Sequence, residues 1–165
     1  AHQASHDPLT GLPNRRASDH ELASAIGECE GGGRPLCVAI LAIDRFKHIN
    51  DRHGHLVGDR VLEQVAAQLH ASLHYPAAFV GRTGGEEFTA VLRDVVLDEA
   101  MLRLERARRD IAALRMAPEG EEVACTISIG VVQRVQGEGA DALVRRADRA
   151  LYEAKRRGRD RVVAL

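Results

Sequence analysis

Two short apolar runs, residues 78–82 and 88–92, are separated only by Thr83 and the polar turn Gly84-Gly85-Glu86-Glu87. Runs of that length joined so tightly have one economical arrangement, a β-hairpin. A hairpin commits the surrounding sheet to antiparallel pairing. Helical periodicity brackets it. Residues 16–29 carry Leu22, Ala23, Ala25 and Ile26 at helical spacing. Gly58-Asp59 opens a helix whose stripe is Leu62, Val65, Ala66, Leu69 and Leu73. Further helices are predicted over 97–114 and 141–157, the last ended by Gly158. Residues 36–43, 123–132 and 161–165 read as strands, and 30–35 as a loop. Residues 44–51 are too polar for a core strand and turn out of the sheet. The order α–β–α–β–β–α–β–α–β predicts an α+β fold, a mostly antiparallel central sheet flanked by helices, rather than a doubly wound one.

The 165 residues suit a single domain, taken as 1–165, with residues 1–6 read as the end of an upstream linker in a larger sensor protein. With aromatics at 3% and no Trp, the core must be aliphatic, and a stacking platform for single-stranded nucleic acid is disfavoured. Near-balanced charge, 23 basic against 24 acidic residues, argues against a general DNA-binding surface or a polybasic membrane surface. Positive charge concentrates between Arg145 and Arg161, where eight Arg/Lys face three acids, and such a cluster suits phosphates. Cys29, Cys37 and Cys125 form no CxxC pair, so reduced thiols are expected and a zinc cluster is not. No apolar run is long enough to span a membrane. A cytoplasmic location is expected for this domain, with any membrane anchor lying upstream.

Three segments carry chemistry. Gly84-Gly85-Glu86-Glu87-Phe88 combines a turn that a ligand can approach closely with two carboxylates that can hold a hard cation. Taken alone, a solvated hairpin tip explains it equally well. In the segment from Asp44 to Asp59, Asn50 offers an amide and Asp59 a carboxylate, a pair suited to guanine's donors and acceptors. Asp59 can equally be a helix-terminal acid. Lys155 and Arg159 stand by a helix C-terminus and the Gly158 turn, where cations also favour the helix dipole. Phosphate-binding GxxxxGK[ST] and GxGxxG loops are absent.

In this order, and with Asp7-Pro8-Leu9-Thr10-Gly11-Leu12-Pro13-Asn14-Arg15 ahead of them, these segments resemble the GGDEF family of diguanylate cyclases, in its GGEEF variant. The resemblance runs from Asp7 to about Val162. It implies a palm-like α+β fold of the nucleotide-cyclase type and the condensation of two GTP into cyclic di-GMP by two facing domains. Mg²⁺ is the implied cofactor, with Mn²⁺ an alternative. The implied partners are GTP, cyclic di-GMP and a second copy of the chain, without DNA or membrane contact by this domain. By position, Asn50 and Asp59 bind guanine and Leu9 lines its pocket. The main chain of Arg45, Phe46 and Lys47 cradles the β- and γ-phosphates, and Lys155 and Arg159 hold them. Gly85 lets ribose and phosphate lie on the hairpin. Glu86 ligates metal and helps deprotonate the attacking hydroxyl, Glu87 contacts the second nucleotide or supports the site, and the Ile43 carbonyl adds a metal ligand.

Two departures from the family pattern stand out. A metal-binding Asp is replaced by Ala42, and Asp44, two residues on, is expected to substitute for it in part. The inhibitory RxxD motif is replaced by Tyr75 and Ala78, so product inhibition is expected only at the active site. Ala42 keeps a second reading open, a catalytically weakened module that binds GTP or cyclic di-GMP and regulates a partner. A purely structural dimerisation domain is a third, which no residue specifically favours.

Overall fold

The computed structural model describes residues 4–165. Of the expected linker, residues 1–3 lie outside the described residues. Ser5 and His6 are already tied to the domain: Asn14 N–H donates to the Ser5 carbonyl, and His6 forms a bridge with Pro13.

The elements are α1 (Arg15–Gly32), β1 (Leu36–Ile43), α2 (Phe46–His53), α3 (His55–Ser72), β2 (Ala78–Gly84), β3 (Glu87–Arg93), α4 (Leu97–Ala112), β4 (Ile127–Gln133), α5 (Ala140–Arg156) and β5 (Val162–Ala164). They build one five-stranded sheet in the order β2-β3-β1-β4-β5. Only the β4–β5 pair is parallel, so the expected mostly antiparallel sheet is what forms.

β1 is central and buried along its whole length, which is why it reads as an unbroken apolar run rather than an alternating one. Its Cys37, Ala39, Leu41 and Ile43 join the core layer that includes α3 and α4 side chains. Its Val38, Ile40 and Ala42 join the layer of Leu22, Leu143 and Leu151 from α1 and α5. The three cysteines are free and buried, and burial pushes the Cys37 and Cys125 thiols up to about 12.

α5 lies directly on β4. A Cβ added at Gly130 would stand 2.1 Å from the Leu151 nitrogen, so the helix backbone occupies the space a side chain would need. This contact fixes the C-terminal turn of α5, with Lys155, relative to the sheet. α1 is held at its start by Asn14, whose side chain accepts the Ala17 N–H at 3.0 Å.

Four sequence-based boundaries are corrected. The segment 44–51 is not simply a turn: Phe46–His53 is a helix, anchored by buried Phe46 and Ile49. α3 starts at His55, ahead of Gly58, and α1 continues through Gly32 into the expected loop. β4 begins at Ile127, with Val123 making only an isolated bridge to Met116.

Candidate active site

The signature residues lie at the end of the sheet where β1 finishes and the β2–β3 hairpin turns. Gly85 sits in the turn with φ +35, and a Cβ there would meet nothing within 4 Å. The turn is therefore open beside Gly85. Ile43 N–H donates to the Glu86 carbonyl at 3.1 Å, so the end of β1 runs alongside Glu86. Glu87 pairs in register with Ala42.

Glu86 and Glu87 differ in surroundings. Burial raises the Glu87 pKa; Lys155 opposes this, Asp148 and Glu86 add to it, and Arg15 opposes it. Asp148 is also raised by burial, against Arg15 and Lys155. Glu87, Asp148, Lys155 and Arg15 thus form one charged group joining the hairpin to α5 and the start of α1.

Beyond β1, Arg45 takes a left-handed conformation, φ 53, and turns the chain into α2. No side chain caps α2, so the N–H groups of its first turn, from Phe46 onward, remain available as anion donors. The Phe46 ring is core, and only its main chain can serve a ligand. A cavity of about 350 Å³ beside this turn is lined by Asp44, Arg45, His48, Thr126, Arg159 and Asp160, among others. The structure therefore brings Arg45 and Arg159 together across 114 residues of sequence, by the difference of their numbers. A larger cavity, about 660 Å³, lies around Cys29, Arg34 and Gln133 at the opposite end of β1 and touches none of the signature residues.

Asn50 and Asp59 lie away from this cavity, at the α2–α3 junction. Asp59 is exposed, and Leu9 packs partly buried against the same core layer. Asn50 Oδ1 is the one buried side-chain polar atom without a hydrogen-bond partner among the described residues. An orphaned buried acceptor is costly, and such groups concentrate where a ligand completes them. Gly58 makes this placement feasible. A Cβ there would fall 1.8 Å from Asn50 Oδ1 and 2.9 Å from its Cγ.

Asp44, expected as a substitute metal ligand, is engaged by donors within the protein. It is 7% exposed. Ser128 Oγ donates to Oδ1 at 2.6 Å; Thr126 Oγ1 and the Asp160 N–H donate to Oδ2 at 2.6 and 3.0 Å. A carboxylate with both oxygens taken by three donors is a poor cation ligand. Ala42 itself is buried in an apolar layer. Among the described residues no group of three or more His, Cys, Asp or Glu side chains is placed to hold a metal ion.

Sequence reasoning missed a clamp on the hairpin. Arg82 Nε donates to the Gly85 carbonyl at 2.9 Å, and its Nη1 donates to both Asp7 oxygens at 3.1 and 3.0 Å. Asp7 also accepts from Thr10 N–H and Oγ1, each at 2.8 Å. Arg15 Nη1 donates to the Thr83 carbonyl at 3.2 Å. Asp7, ahead of α1, and Arg15, its first residue, therefore tie down the β2 side of the turn.

The Asp7 pKa lies below its ordinary value: burial raises it, but the Thr10 bonds and Arg82 outweigh burial. A depressed folded-state pKa contributes stability above the unfolded value, near 3.8, that is lost as pH falls through the folded one. Asp7→Asn should therefore be less stable than the parent at neutral pH, and the gap should narrow below about pH 4. Urea unfolding across that range checks this; a gap constant with pH would contradict it.

Comparison with known proteins agrees with this geometry. The family described as "Diguanylate cyclase, GGDEF domain" matches residues 4–161. Diguanylate cyclase DgcP of Pseudomonas aeruginosa is 44% identical over 156 residues, covering 94% of this chain and 23% of that protein. The chain thus spans about a quarter of that relative. The crystal structure of the GGDEF domain of DgcB from Caulobacter crescentus, in complex with c-di-GMP, superposes with a TM-score of 0.94 at 38% identity, covering 99% of this chain and 97% of that one. The active GGEEF domain of a diguanylate cyclase from Vibrio cholerae does so with a TM-score of 0.85 at 34% identity, covering 93% and 97%. A family match over residues 4–161, with 44% identity to a diguanylate cyclase across 94% of the chain, settles the point: this chain belongs to the GGDEF domain family of diguanylate cyclases.

Proposed function

We propose that this domain condenses two GTP molecules into cyclic di-GMP, with one GTP held by each of two facing copies. The observation that carries this reading is the orphaned Asn50 oxygen against Gly58, a recognition group for guanine N–H donors. Asn50 lies on α2 itself, the helix whose uncapped first turn follows Arg45. Asn50 and Asp59 hold the base, with Leu9 beside it. The N–H groups from Arg45 to Lys47 and the side chains of Lys155 and Arg159 hold the terminal phosphates. Gly85 lets ribose and α-phosphate rest against the hairpin. Glu86 takes the proton from the 3′-hydroxyl, which attacks the α-phosphate of the other GTP. Pyrophosphate leaves, and a second such step closes the ring. Positioning and charge neutralisation supply the acceleration, as in phosphoryl transfer generally.

Glu86 and Ile43 are neighbours through their main chains, and the Glu86 carboxylate and Ile43 carbonyl would hold Mg²⁺, with substrate phosphates and waters completing its shell. When bound, the ion neutralises developing charge at the reacting phosphate. Incubation with GTP and Mg²⁺, with products separated by chromatography, tests the reading: cyclic di-GMP is expected, and its absence would refute it.

One observation favours the weakened regulatory module, the apolar burial of Ala42 where the family has a carboxylate. Ala42→Asp would place that carboxylate beside Glu87 in register. We expect it to lower the melting temperature without divalent cation, through like-charge crowding, and to raise both melting temperature and turnover when Mg²⁺ is added. An Mg²⁺-independent variant would contradict a metal role for this position.

Product inhibition is expected to be competitive with GTP. Tyr75 and Ala78 carry no charge for a phosphate, and the Tyr75 ring already stacks under the Arg103 guanidinium, 3.9 Å from its centroid. A purely noncompetitive pattern would refute this.

A further inference from the structure

Asp44 holds together three parts of the chain that nothing else joins in this way. Thr126 and Ser128 lie at the start of β4, and Asp160 lies in the turn after α5. That turn is unusual. Gly158 has φ 120, and the next two residues, Arg159 and Asp160, have φ 65 and 48. Consecutive non-glycine residues in the left-handed region are disfavoured and persist only where their surroundings impose them. Here Arg159 N–H donates to the Ala154 carbonyl at 2.9 Å, and Asp160 N–H donates to Asp44. Asp160 also pairs through its side chain with Arg108. Between these two anchored nitrogens stands Arg159, lining the cavity that Arg45 and Asp44 share.

We infer that Asp44 is a positioning residue for Arg159: its carboxylate fixes the left-handed turn that presents the guanidinium to the terminal phosphates of the nucleotide. The inference rests on the reading of this site as a GTP site. It gives Asp44 a task different from metal ligation. It also accounts for the buried donor Ser128 and the half-buried donor Thr126, which complete the carboxylate's bonding and leave its remaining reach for the Asp160 amide. Asn at position 44 would place an NH₂ among three donors, and one oxygen could not serve Ser128 and Asp160 together.

The test compares GTP with GMP, which lacks the terminal phosphates, by calorimetric titration with and without Mg²⁺. Asp44→Asn should weaken GTP binding about 30-fold, the scale of a hydrogen bond to a charged group, and GMP binding less than twofold or so. The GTP loss should persist without Mg²⁺. It should also vanish in an Arg159→Ala background, because the arginine it positions is gone. Thr126→Val, which removes one donor and keeps the carboxylate, should show the same ordering with a smaller loss, and it serves if Asp44→Asn does not fold. Equal losses for GTP and GMP would show a general structural role and overturn the inference. So would a loss that adds to that of Arg159→Ala, or one seen only with Mg²⁺. A parent chain that binds neither nucleotide would overturn the GTP reading itself, and this inference with it.

Discussion

Gly58→Ala is expected to weaken GTP binding roughly 100-fold while the domain remains folded, the loss of a bidentate base contact being worth about 1–3 kcal/mol. The added methyl would lie 1.8 Å from Asn50 Oδ1 and 3.3 Å from the Phe46 ring. The 1.8 Å approach is impossible and the 3.3 Å one is tight, so Asn50 must rotate or α2 must shift from α3. Either movement takes the amide away from the base. Overpacking of this kind costs about 1–3 kcal/mol, within what a domain of this size withstands. The measurement pairs GTP titration with a melting curve. Binding should collapse while the melting transition stays cooperative and falls by only several degrees. Unchanged GTP affinity would mean that Asn50 does not touch the nucleotide.

Glu86→Gln should be more damaging to chemistry than to binding. Glutamine keeps the shape of the side chain but cannot accept the proton from the 3′-hydroxyl, and it removes the charge that a cation requires. Loss of a charge-stabilising group at a reacting centre costs about 10²–10³-fold in turnover, and loss of the base adds to it. A fall of about a thousandfold is expected, with GTP affinity changed only a few-fold because Asn50, the α2 amides and Arg159 remain. Turnover within tenfold of the parent would remove Glu86 from the catalytic role and direct attention to Glu87, whose pKa burial raises.

The parts of the fold that were legible in the sequence are those governed by local pattern. β1 occupies residues 36–43 as expected, because Pro35 and Asp44 bound an apolar run whose every residue is buried. The hairpin and α5 were equally plain. α2 was not, because its residues are polar and it is held by only two buried side chains after a left-handed arginine. The start of α3 was misplaced because Gly58 looked like a helix boundary. It is interior to the helix, and it is glycine for the sake of Asn50.

In the site, the sequence offered candidate residues one segment at a time, and the contacts between distant segments were hidden. The Asp44 carboxylate meets partners 82, 84 and 116 residues away. Arg82 reaches Asp7 across 75 residues. Spacing along a strand placed Asp44 on the same face as Ala42 but could not show that its oxygens were already occupied.

The most direct test of the two-copy GTP condensation is the rate of cyclic di-GMP formation per protein molecule, measured over about a hundredfold range of protein concentration, where mass action sets the share of paired domains. A specific rate that climbs with concentration, with cyclic di-GMP as the product, is expected. A rate independent of concentration, or GTP bound without product at any concentration, would contradict it.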